Sequence, residues 1–347
     1  MTARKTGLSY LRILSCFGIV LLHTLSVAEL LARDVLSPQA DLTAWAVLNC
    51  LRWAVPCFVM ITGALLLDPA RELPIKKIYG KYLVRVLAAL VVFSFIYRIF
   101  SCAMDRTPLT AENFGRTLSN LWTGGGWAHL WYLYTLIGLY LLLPFYRMIA
   151  KAASDRELRL LLGIWLLFVS ILPLTKIFGL ETGFEIPTST IYPLYLFAGH
   201  AVNRRALRIP RPAAVILIAV CAALLCAASF HNADGTYADL LSYSSVYVVV
   251  MAVSLFSLFA GRAVPAEEAA YRSMPRLLLT LDRCCFGIYL VHMMFLRLFL
   301  KYWLWAPLSG PAVRAAAVTL GIAALAFVLS AAVTAVLRLV PVVKKIV

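Results

Sequence analysis

Charge is what this sequence has least of. Asp, Glu, Lys and Arg make up 14% of its 347 residues, about half the usual quarter of a globular chain. So little charge cannot cover a surface that faces water. A mean hydropathy of +0.87 excludes a soluble enzyme, a disordered chain and a disulfide-stapled secreted scaffold. Carboxylates are scarcer still: Asp and Glu number 16, and none falls in the middle of an apolar stretch, Glu29 and Asp282 lying near the ends of theirs. A proton-coupled carrier usually needs a carboxylate relay at that depth, which weighs against secondary transport. The eight cysteines include none at zinc-ligand spacing from a His. No metal is expected, and the cysteines read as small apolar packing residues.

What remains is a polytopic membrane protein. Ten apolar stretches run near 8–32, 42–67, 79–100, 127–147, 158–179, 187–203, 212–230, 239–260, 280–303 and 312–337. Each approaches the roughly 20 residues that cross a bilayer core of about 30 Å, so the fold class is an all-α membrane bundle of about ten transmembrane helices. The first stretch follows Arg4 and Lys5. It is too long for a signal-peptide core and carries Arg12 inside it, so it reads as an uncleaved span.

The formal charge of +16 would suggest nucleic acid in a soluble protein. Here no nucleic acid is needed, because cationic loops hold a membrane protein in its orientation. Basic groups gather in every second loop: first Arg71, Lys76, Lys77, Lys81 and Arg85, then Arg147, Lys151, Arg156 and Arg159. Arg204, Arg205, Arg208 and Arg211 follow, then Arg262, Arg272, Arg276 and Arg283, and finally Arg338, Lys344 and Lys345. Asp34, Asp41, Asp105, Glu112, Glu181, Glu185, Asp234 and Asp239 take the opposite side. The alternation predicts both termini in the cytosol. The longest loop, near 101–126, is too short for a second domain, and residues 1–347 read as a single integral-membrane domain.

Ionisable groups inside a bilayer cost about 2.5–3.5 kcal/mol on insertion scales, so each needs a reason. Arg12 and His23 share the first span, eleven residues apart, which is about 20° past three full turns and about 16 Å along the axis. One helix face thus carries a cation at its inner rim and an imidazole beyond mid-depth. Arg12 snorkelling to lipid and His23 bonded between helices is the structural alternative. Lys76, Lys77, Lys81 and Arg85 at the mouth of the third span suit a multiply anionic ligand such as a coenzyme phosphate, although loop charge alone accounts for them. Arg52 lies near mid-depth, four residues before Pro56, where snorkelling is difficult. Arg98 lies closer to an outer end and can snorkel. His292 sits mid-span, and His129 opens the fourth span on the outer side.

Four blocks then form a familiar series: Tyr10-Leu11-Arg12-Ile13 with Leu21-Leu22-His23, Val55 to Gly63, His129-Leu130-Trp131-Tyr132-Leu133-Tyr134, and Gly287-Ile288-Tyr289-Leu290-Val291-His292. In order and coverage the chain resembles the integral-membrane acyltransferase family 3, which includes bacterial O-acetyltransferases of surface polysaccharides. Val59 and Thr62 stand where that family usually has Phe and Ser. Lys81 stands where Arg is commoner, and an ammonium meets phosphate as a point charge instead of a bidentate fork.

The resemblance implies a multi-pass enzyme of the bacterial cytoplasmic membrane, moving an acyl group, most often acetyl, from cytosolic acyl-CoA to a hydroxyl of a surface glycan or lipid-linked sugar. Acyl-CoA is then a donor substrate, with no permanently bound cofactor, and membrane lipid surrounds the bundle. His23 is expected as general base, Arg12, Lys76, Lys77, Lys81 and Arg85 as the coenzyme-binding set, and Arg52, His129, Trp131 and His292 on the acceptor. Direct attack on the thioester and an acetyl-histidine intermediate both satisfy the residues, and Arg52 and His292 are both candidates for the oxyanion. A carrier or flippase for a lipid-linked sugar, moving it unmodified, is the competing reading.

Overall fold

Apolar side chains on every face of a long segment leave the helix as the form that satisfies its own backbone inside lipid. The computed structural model describes residues 6–32, 38–180, 183–184, 190–232, 235–260, 274–302 and 312–347, and among them no strand occurs. Arg4, Lys5, Asp34, Glu181, Glu185, Asp234, Arg262 and Arg272 lie outside the described residues, as does the side chain of Glu29. The helices are α1 (Thr6–Ala32), α2 (Pro38–Cys50) and α3 (Ala54–Leu66), then α4 (Ile75–Asp105), α5 (Ala111–Thr123) and α6 (Trp131–Ala152). Next come α7 (Asp155–Phe178), α8 (Tyr192–Asn203), α9 (Arg211–Phe230), α10 (Val246–Phe259), α11 (Arg276–Tyr302) and α12 (Ala312–Leu337). Large apolar side chains such as Val215, Ile216 and Val220 of α9 and Val328 and Val336 of α12 point out of the bundle, as they do where lipid is the solvent. The chain is a multi-pass membrane protein.

Among the described residues, nine segments are long and apolar enough to cross a membrane. The tenth expected span, near 187–203, differs: its helix, α8, has 12 residues, about 18 Å of rise. Every residue from Pro193 to Val202 is buried, so α8 is enclosed by protein and need not match the thickness of a lipid layer. It still carries the chain through the bundle. Arg12 of α1 pairs with Asp282 of α11, and His23 pairs with His292, so α1 and α11 run parallel. With one reversal per pass, that holds only if α8 counts as a pass.

Two further departures from the sequence reading bear on the site. The second span is broken at Leu51, Arg52 and Trp53, because Pro56 has no N–H to give the Arg52 carbonyl one turn earlier. The expected loop near 101–126 contains α5. Thr110 caps it by accepting from the Asn113 N–H, and Gly124 ends it at φ 75°.

Helix α3 lies against α8 at backbone contact. A Cβ placed on Gly63 would lie 1.8 Å from the Leu196 carbonyl oxygen, and one on Gly199 would lie 2.0 Å from that of Met60. Small residues at a membrane-helix crossing allow this approach. Gly63→Ala should therefore force the two backbones apart and cost about 1–3 kcal/mol or more. Heating the detergent-purified protein while following monodisperse elution checks it, and an unchanged melting temperature would contradict the close crossing.

Candidate active site

The parallel alignment of α1 and α11 sets two polar rungs between them. The first is the ion pair of Arg12 with Asp282, whose carboxylate side chain is 1% exposed. The second, about 16 Å deeper, is a hydrogen bond of 2.9 Å between His23 Nδ1 and His292 Nε2. His292 Nδ1 lies 3.1 Å from the Ile288 carbonyl oxygen. A carbonyl only accepts, so Nδ1 of a neutral His292 carries the proton and its Nε2 is a lone pair. His23 Nδ1–H then donates to that lone pair. The remaining nitrogen, His23 Nε2, is left with a lone pair and no protein donor among the described residues.

A third imidazole completes the group. The His129 ring lies 6.2 Å from that of His23 and 5.6 Å from that of His292, edge-on to both. The short turn Ala128–Leu130 leading into α6 positions it, and the Tyr289 hydroxyl, donating to the His129 carbonyl at 2.6 Å, pins that turn to α11. Tyr97 of α4 packs on His129 at 4.9 Å and donates its hydroxyl to the Leu290 carbonyl. Both ring nitrogens of His129 are buried without a partner among the described residues. A buried polar group without a partner is costly, so this ring holds a donor and an acceptor ready for something else.

At the Arg12 end of the same helices lies a cavity of about 310 Å³. Arg12, Arg85, Arg283 and Arg338 line it with Asp282, four guanidinium groups against one carboxylate. Arg85 lies over the Phe286 ring, 4.7 Å from its centroid. Phe286 and Tyr132 form the deep wall. From there Phe286, Tyr289 and His292 follow one another up α11, with rings 6.3 Å and then 6.2 Å apart. One aromatic layer thus separates the arginine cavity from the histidines.

Of the expected coenzyme-binding residues, the structure brings Arg12 and Arg85 to this cavity. Lys76, Lys77 and Lys81 are exposed and do not line it. Of the expected acceptor residues, His129 and His292 join His23. Arg52 and Trp131 form a second group around Tyr243: Arg52 lies over its ring at 5.4 Å, Trp131 packs on it at 5.5 Å, and Arg52 Nε donates to Asn49 Oδ1. Arg98 Nε donates to Thr117 Oγ1 of α5 at 3.0 Å.

Sequence reading missed Asp282, Arg283, Arg338 and Tyr289 as site residues. One signal for Asp282 was present: it precedes His292 by ten residues, nearly the spacing from Arg12 to His23. Two spans with a charge and a histidine three turns apart match as partners. Nothing in the sequence distinguishes Arg283 and Arg338 from other loop cations.

Residues 5–337 match the family model described as an acyltransferase domain. No curated protein and no solved structure matches the chain. A match over nearly the whole length of a helical membrane bundle shows the family: this chain belongs to the integral-membrane acyltransferase family 3.

Proposed function

We propose that this membrane acyltransferase takes an acyl group, acetyl first among the candidates, from acyl-CoA and places it on a hydroxyl of a surface glycan or lipid-linked sugar. The observation that carries this reading is the alignment of an arginine-lined cavity and a histidine pair along the same two helices. Guanidinium groups suit the coenzyme's phosphates, and its extended arm would carry the thioester past Phe286 and Tyr289 toward His23. No bound coenzyme is required between turnovers.

In the direct route, His23 Nε2 takes the proton of the acceptor hydroxyl as its oxygen attacks the thioester carbonyl. His292 holds the ring in the tautomer that leaves Nε2 free and accepts from the Nδ1–H of the imidazolium formed. The carbonyl oxygen then carries negative charge and needs a donor. His292 has both nitrogens engaged and Arg52 is held at Asn49 and Tyr243. His129 has an N–H to spare, so it is the oxyanion donor in this reading. Collapse forms the ester and expels the coenzyme as thiolate, which recovers the proton from His23. In a two-step route the same Nε2 would carry the acyl group.

The arginine cavity would face the cytosol of a bacterium, with both termini on that side and the acceptor on the other, so that the acyl group crosses inside the bundle. Oriented proteoliposomes test this. With acetyl-CoA only on the Arg12 side and an impermeant acceptor only opposite, ester should form on the acceptor. Product formed only when both share a side would overturn the crossing. Mass spectrometry of surface glycans with and without the protein identifies acyl group and acceptor together; identical spectra would overturn the glycan reading.

A further inference from the structure

On the far side of the histidines from the arginines lies a second cavity of about 210 Å³. Ser94, Arg98 and Ser101 enter it from α4, Asn120 from α5, and Trp127 closes it. Ser94, Ser101 and Asn120 spend no side-chain hydrogen bond on other described residues. Arg98 has only its Nε engaged there. No carboxylate lines the space.

The roof of this cavity is built inside out for a water-exposed helix. Thr117 and Asn120 of α5 turn inward, whereas Phe114, Leu118 and Trp122 are 38%, 60% and 92% exposed. Such an apolar face suits the bilayer interface, so the polar face is kept for the cavity. Trp127 is fixed on both sides, with Tyr97 at 4.5 Å and the Arg297 guanidinium at 5.1 Å from its ring. Its ring is 6.3 Å from that of His129. Trp127 therefore stands between the cavity and the histidine group.

Hydroxyl and amide groups that both donate and accept match the hydroxyls of a sugar, each of which also does both. We infer that this cavity is an acceptor subsite and holds one hydroxyl-rich sugar unit, so that the adjoining unit of the same glycan lies past Trp127 toward His129 and His23. Arg98 donates to the sugar's oxygens. This inference rests on the glycan-acylating reading above and names where that acceptor binds.

The test uses the full chain in nanodiscs, with Ser94→Val and Asn120→Leu, neither of which is in the histidine group. Acetyl-CoA is the donor, and the disaccharides maltose, lactose and chitobiose are the free-sugar probes, with inorganic phosphate as a competitor. Both variants should raise the sugar KM about tenfold, the loss of one hydrogen bond to a ligand, while the KM for acetyl-CoA stays at the wild-type value. Saturation-transfer NMR of the same sugars should show contact with the wild type and loss in both variants. A sugar KM within twofold of wild type in both variants would overturn the subsite, as would phosphate abolishing the sugar contacts, which would make this an anion site. A wild type that contacts none of the three sugars overturns it as well. If the wild type releases no thiol from acetyl-CoA, the donor half of the functional reading fails, and the NMR arm still decides the subsite.

Discussion

His23→Ala should abolish acyl transfer while the protein still inserts and elutes as a single species. General-base help is typically worth 10²–10⁴-fold, and this side chain supplies the ring nitrogen left free by the hydrogen bond at 2.9 Å to His292. The bond to His292 Nε2, and that of His292 Nδ1 to the Ile288 carbonyl, decide which nitrogen of His23 is free. His292→Leu should cost less, because it releases the His23 ring from its tautomer without removing the base. Ester formation and thiol release, measured on protein that passes the elution check, separate the two variants. Wild-type rates from His23→Ala would reduce the histidine pair to a packing contact.

Asp282→Leu is expected to be the most destabilising single change at the site. It leaves Arg12, 23% exposed, as a cation without its carboxylate partner inside a membrane bundle, and breaking one side of a buried pair costs about 3–5 kcal/mol. Removing both charges, as in Arg12→Met with Asp282→Leu, should recover most of that loss, because an apolar pair of similar volume is often neutral or stabilising. The double variant should nonetheless show a raised KM for acetyl-CoA, since one of the four guanidinium groups of the cavity is gone. Thermal stability of the two single variants and the double one forms a cycle that isolates the pair. A single variant as stable as the wild type would mean that the Arg12–Asp282 contact is not a structural rung.

Much of the fold was legible because a bilayer enforces a simple code: apolar runs of sufficient length become helices. The code failed where protein replaced lipid as the surroundings. α8 is too short to be measured against a bilayer, and it is buried on every side by its neighbours. The second span reads as continuous, yet Pro56 breaks it and leaves Arg52 beside Tyr243. α5 has too little apolar character to stand out as a span, and its cap at Thr110 and its stop at Gly124 are what define it.

The sequence by itself determined the class of protein, the parallel rise of a cation and an imidazole along α1, and the histidines worth naming. These are properties of single helices, where spacing converts directly into direction and depth. Tertiary structure alone decided which groups meet. Asp282 stood near a span end and became the partner of Arg12, while Arg283 and Arg338 stood among loop cations and became the walls of a cavity. Lys76, Lys77 and Lys81 remained at the surface. Which nitrogen of His23 is free follows only from the chain of bonds through His292 to Ile288. Two partners on helices more than 260 residues apart leave no trace in local spacing, because helix packing brings them together through side-chain shape and backbone approach over the whole bundle.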